Sequence, residues 1–170
     1  MSEDRKNILV GAGTLKVDGV EVGFTEGGVT LSLEKEFYDV EADQETGILD
    51  KKETRQVCSL VTNLLEATLE NIKLVWGIES PVETSSGKKT LSFGGLSGLC
   101  SSPQEHELEF NGCAPNKKQR KFVVYRAVSV ETGEHSYLKG EKTVIPVTFQ
   151  CLMDTDKPKG RRYGYYEDVV

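Results

Sequence analysis

Gly11-Ala-Gly13-Thr-Leu-Lys-Val-Asp18-Gly19-Val-Glu-Val-Gly23-Phe-Thr-Glu-Gly27-Gly28-Val-Thr-Leu31 is the stretch that decides the fold. Two short alternating runs meet at Asp18-Gly19, a dipeptide suited to a two-residue type I′ turn because both of its positions tolerate φ > 0. Gly27-Gly28 interrupts the pattern. A period-two strand follows, with Val29, Leu31 and Leu33 on one face and Thr30, Ser32 and Glu34 on the other.

Outward from this hairpin the chain reads as short strands, at about 14–18, 20–24, 28–36, 53–64, 88–93, 105–111, 120–131 and 141–153. In the second long run, Cys58, Leu60 and Thr62 oppose Val57, Ser59 and Val61. In the last run both faces carry apolar residues, which predicts cover on both sides. Pro146 there lacks an amide donor and predicts an edge or a bulge. Only one segment changes period. Leu65, Leu69, Ile72 and Val75/Trp76 recur at three- and four-residue spacing, predicting a helix near 67–76 with Thr68 as N-cap, Glu70 in the first turn and Gly77 as its stop. Glycines at 94, 95, 98, 112, 133 and 140 punctuate the strands. The expected fold class is mainly β: an antiparallel β-sandwich or barrel with one flanking α-helix.

Residues 37–52 fit neither period and read as a long loop. Phe37, Tyr38, Val40, Ile48 and Leu49 make it too apolar for a solvated linker, so these five are the candidate contact residues. Residues 1–12, with the apolar run Ile8-Leu9-Val10, and the polar tail 154–170 read as arms on a single domain spanning 1–170.

The 170 residues suffice for one core without metal or disulfide. Apolar residues make up 37% and charged residues 28%, a balance that points to much solvated or subunit-facing backbone. A net charge of −6 argues against a nucleic-acid grip, which rests on Lys and Arg. The basic clusters Lys117/Lys118/Arg120/Lys121 and Lys157/Lys159/Arg161/Arg162 then read as solvated turn charges or as partners for acidic segments. No apolar run is long enough for a membrane span, and the N-terminus has no stretch of signal-peptide length, so synthesis in a cytoplasm is expected. Cys58, Cys100, Cys113 and Cys151 form no CxxC pair and are expected as reduced thiols, Cys58 and Cys151 in the core, the other two more exposed.

Catalytic templates fail, and neither catalytic residue, cofactor nor metal is expected. Gly11-Ala-Gly13 lacks the third glycine of a dinucleotide loop, and Gly87-Lys88 lacks the upstream glycine of a P-loop. His106-Glu107 is followed by Phe110 where a zincin needs histidine, and His135 lies in a polar turn; both histidines read as solvated. Gly95-Leu-Ser97-Gly98 breaks the nucleophile-elbow spacing. Asp39, Glu41, Asp43, Glu45 and Asp50 fall at the odd positions and the last position of an EF-hand-like loop. Gln44 occupies the place where the sharp turn needs glycine, so an acidic loop is the favoured reading.

The order of glycine entry, hairpin, Gly-Gly and long strand resembles the opening of bacteriophage major tail tube proteins. Phe37-Tyr-Asp-Val-Glu-Ala-Asp-Gln44 is similar to that family's entry into its inter-ring loop. Leu65-Glu-Ala-Thr-Leu-Glu-Asn-Ile72 resembles the approach to its helix, and Cys151-Leu-Met-Asp154 through Lys159-Gly160-Arg161 its strand exit and terminal arm. The match extends over about two thirds of the chain and is weakest at 94–118. It implies a non-enzymatic virion protein, assembled in the host cytoplasm, in which six copies form a ring. Stacked rings make a hollow tube that DNA crosses without being held. The long loop 37–52 would bridge rings, and tail terminator, tail tip or baseplate, and tape-measure proteins would be partners. Related readings are the tube of a contractile tail, a bacteriocin or a secretion apparatus. A different class remains open, a monomeric β-sandwich decoration or binding module.

Overall fold

The computed structural model describes residues 5–130, 133–134 and 136–169. The strands are β1 (Thr14–Val17), β2 (Val20–Glu21), β3 (Thr25–Val40), β4 (Asp50–Leu64), β5 (Glu83–Ser85), β6 (Lys88–Thr90), β7 (Glu105–Ala114), β8 (Lys118–Ser129), β9 (Ile145–Cys151) and β10 (Gly164–Asp168). One helix, α1 (Leu69–Trp76), lies between β4 and β5, and short 3-10 turns occupy Arg5–Asn7 and Pro115–Lys117. Strand makes up 48% and helical structure, the 3-10 turns included, 8% of the described residues, as the mainly β reading requires.

All pairings are antiparallel. The main sheet runs β2-β1-β7-β8-β9-β4-β3, and β5 and β6 form a separate hairpin. Strand β8 joins two layers. Its first half pairs with β10 at residues 120–124, and its second half pairs with β9 at 127–129. Leu15, Leu108, Phe122 and Val124 from one half of the sheet share a single buried cluster with Leu60, Leu64, Ile145, Val147 and Phe149 from the other. The sheet is therefore folded over on itself as a sandwich. Burying several such side chains at ~1.5–3 kcal/mol each is the main force holding the layers together.

Local chemistry explains most element boundaries. Asp18 and Gly19 both hold positive φ, 51° and 81°, as a type I′ turn demands. Gly27 and Gly28 also have positive φ, but they do not end the strand. They make an irregularity within β3, between the Glu26 and Thr30 pairings with β4. The Thr68 side chain accepts the Asn71 amide at 3.2 Å, and Gly77 closes α1 in the left-handed conformation. Buried Asn71 donates to the carbonyls of Val22 and Glu66, both at 2.9 Å, tying the helix to the β2–β3 connection.

Four expectations need correction. Residues 37–52 are not a loop throughout: β3 extends to Val40 and β4 begins at Asp50, so only 41–49 form the turn. Cross-strand ion pairs replace the apolar alternation there, which is why the period was hidden. The tail beyond residue 154 is not only an arm, because β10 docks on β8 and Tyr163 packs against the core. His106 is not solvated but 7% exposed; His135 lies outside the described residues. Strand β9 is covered on one face: Ile145, Val147, Phe149 and Cys151 are buried, and the intervening residues are half-buried. Pro146 pairs with Asn63 of β4, but the β8 ladder beside β9 runs only from Ala127 to Ser129. The missing amide thus falls where β9 has a local edge.

Candidate assembly surface

The β3–β4 hairpin outgrows the sandwich. Its inner half covers the core through Leu31, Leu60 and Leu64. Strand β3 is exposed from Leu33 to Asp39 and β4 from Asp50 to Arg55, leaving a two-stranded ribbon capped by the turn 41–49. Its register runs Glu36↔Arg55, Phe37↔Glu53, Tyr38↔Lys52, Asp39↔Lys51 and Val40↔Asp50, with Thr54 the extra residue of a bulge.

With no core to bury, the ribbon is held by its ladder and by opposite charges. Lys51 reaches Asp39 at 2.9 Å, Lys35 reaches Glu53 at 3.5 Å and Arg55 reaches Glu36 at 3.4 Å. Lys51 also lies over the Phe37 ring, 5.6 Å from its centroid. Hydrogen bonding by Lys52 and by the Lys51 amide lowers the Asp50 carboxyl below its ordinary range, so it stays ionised beside them. Asp39 and Asp50 thus each pair with a lysine of β4 rather than facing a common centre. Among the described residues no group of three or more His, Cys, Asp or Glu is placed to hold a metal ion.

The five candidate contact residues all fall on this ribbon. Phe37 and Tyr38 project to opposite faces, as successive strand residues must. Val40 shares the Tyr38 face and is half-buried, while Ile48 and Leu49 sit in the turn. Phe37, Tyr38, Ile48 and Leu49 are 49–65% exposed. Phe37 and Tyr38 thus lie on opposite faces of the ribbon, with Ile48 and Leu49 in its turn. An element that is apolar on both sides has nothing among the described residues to cover it.

Other polar candidates have internal partners. Arg120 grips Asp168 with two bonds of 2.6 and 2.7 Å, and Lys121 reaches Glu167 at 3.9 Å, so the first basic cluster fastens β10 to β8. Arg126 holds Glu105 in the same two-pronged way and donates to the Met153 carbonyl at 2.8 Å. That contact lowers the Glu105 carboxyl below its usual range.

One pair was not legible in the sequence. His106 Nδ1 lies 2.7 Å from Asp18 Oδ2, and Asp18 Oδ1 accepts the Glu107 amide at 2.9 Å. Residues 88 positions apart meet because β1 pairs with β7. The adjoining cleft contains no serine or cysteine, and its one hydroxyl, Thr68, caps α1. The pair therefore pins the β1–β2 turn to β7. The alternation of β7, with His106 in phase with Leu108, was the available signal.

These features define an antiparallel β-sandwich protein with a protruding, charge-stapled ribbon. The chain matches no protein-family model and no curated protein. Among the described residues no helix is long and apolar enough to cross a membrane.

Proposed function

We propose that this chain is a structural, self-assembling tube subunit of the bacteriophage tail type. In this reading six copies close into a ring, and rings stack into a hollow tube in the virion through which DNA passes. The observation that carries it is the ribbon: Phe37, Tyr38, Ile48 and Leu49 are exposed on both faces and at the tip of a hairpin that its own fold leaves uncovered. Such an element fits insertion between neighbouring copies. Strand β3 ends the sheet order and offers an unpaired edge, which a ring would satisfy by pairing subunits laterally. A head-to-tail contact along the axis then generates a filament. The net charge of −6 per copy suits a conduit that does not retain phosphates.

Negative-stain electron microscopy of the purified protein across a concentration series tests this. Rings or hollow tubes of uniform width are the expected result. A chain that stays monomeric at every concentration, and also when a tail-tip initiator is added, refutes the reading and favours a monomeric binding module.

A further inference from the structure

We propose that Cys58 and Cys151 are a peroxide-responsive dithiol that closes into a cross-strand disulfide between β4 and β9. The ladder pairs Leu60 with Phe149 and Ser59 with Gln150. One step further sets Cys58 opposite Cys151, both on the inward face and only 6% and 5% exposed. Directly opposed residues of an antiparallel pair have Cα atoms roughly 4.5–5.5 Å apart. A disulfide spans roughly 4.4–6.8 Å between Cα atoms, a range that includes this spacing.

The two thiols are not equivalent. Interaction with Cys151 lowers the Cys58 thiol, while interaction with Cys58 and burial push the Cys151 thiol up. Access has the same asymmetry. A cleft of about 230 Å³ between the layers is lined by Cys58, Leu31, Leu33, Phe122, Tyr163 and Tyr166, but not by Cys151. Tyr163 is anchored beside it by donating to the Gln56 carbonyl at 2.9 Å. The cleft has room for hydrogen peroxide, whose size is close to that of water.

Cys58 therefore reacts first. Its sulfur attacks one peroxide oxygen, the O–O bond breaks, and the departing hydroxide takes the Cys58 proton to become water. This leaves a sulfenic acid on Cys58. The Cys151 sulfur then attacks the Cys58 sulfur, and the sulfenic hydroxyl leaves with the Cys151 proton as a second water. The thiols lose two electrons and the peroxide gains them. The product ties two strands that are distant in sequence at the seam beneath the C-terminal segment.

The test uses the full chain carrying Cys100→Ser and Cys113→Ser, which removes the exposed thiols. The native protein is exposed to hydrogen peroxide, quenched, unfolded and alkylated. The expected result is loss of both alkylation sites, a mass lower by two hydrogens, a linked 58–151 peptide and reversal by a dithiol reductant. In the same background Cys151→Ser is expected to trap Cys58 as a dimedone-reactive sulfenic acid, whereas Cys58→Ser leaves Cys151 unmodified over the same exposure. Both thiols remaining alkylatable, an intermolecular crosslink in place of the internal one, or Cys151 oxidising as fast as Cys58 overturns the proposal.

Discussion

Replacing residues 37–54 by Asn-Gly cuts away the outer ribbon and rejoins the strands at the Glu36↔Arg55 pair. Asn-Gly supplies the two positive-φ positions of a type I′ turn, so the shortened hairpin keeps its register. The replacement removes Phe37, Tyr38, Val40, Ile48 and Leu49 together, none of which is buried. Its cost is set by the side-chain interactions that disappear with the ribbon. The Lys35–Glu53 and Lys51–Asp39 pairs join side chains that are 34–53% exposed, and such pairs contribute ~0.2–1 kcal/mol each. The Phe37–Lys51 contact adds ~0.5–1 kcal/mol. These contacts total at most about 3 kcal/mol; the Lys52–Asp50 pair is more exposed still and adds little, and the loss is partly offset by the ordering entropy that the removed residues no longer cost. For a chain of this size that corresponds to a melting shift of no more than about 12 °C. Calorimetry on the truncated protein measures the shift, and sedimentation with electron microscopy measures assembly. The expected outcome is a folded, soluble monomer or ring that does not polymerise. Normal tubes from the truncated chain would refute the assignment of the ribbon to stacking. A collapse in stability well beyond this range would show that the ribbon belongs to the core.

Phe149→Ala empties a fully buried position between the layers and should cost about 3–5 kcal/mol, read as a lowered urea midpoint; a loss under about 1 kcal/mol would contradict the packing described. Asp18→Ala removes the acceptor for His106 and for the Glu107 amide and places alanine at φ 51°. It should cost about 1–3 kcal/mol by chemical denaturation, with Asp18→Asn recovering most of the loss because asparagine tolerates that φ and retains an acceptor. The Glu105 carboxyl, lowered by Arg126, contributes stability that is present above the ordinary carboxylate pKa and is lost as pH falls through its depressed folded value. The stability difference between the parent and Arg126→Met should therefore be larger at neutral pH and narrow in acid to the part set by the Met153 carbonyl contact; parallel curves across the titration would exclude the linkage.

Local structure was legible in the chain before any partner was known. Asp18-Gly19 set the first turn because few other dipeptides hold two positive φ angles cheaply. Thr68 and Gly77 bounded the helix by satisfying backbone groups at its ends. The alternation of Cys58, Leu60 and Thr62 against Val57, Ser59 and Val61 marked β4 as a strand, and the first set is the buried one; in β9, apolar residues on both faces hid which face the core would take. The apolar residues between 37 and 49 also stood out, though not their arrangement. Alternation signals a strand only where one face is buried, and the ribbon has no buried face, so its pairing through Lys51–Asp39 and Lys35–Glu53 left no periodic trace. Long-range partners came from packing alone. The return of β10 to β8, the meeting of His106 with Asp18, and the alignment of Cys58 with Cys151 each depend on sheet order. That order is set by how the two layers close over a shared core, a property of the packed whole that no local window of sequence contains.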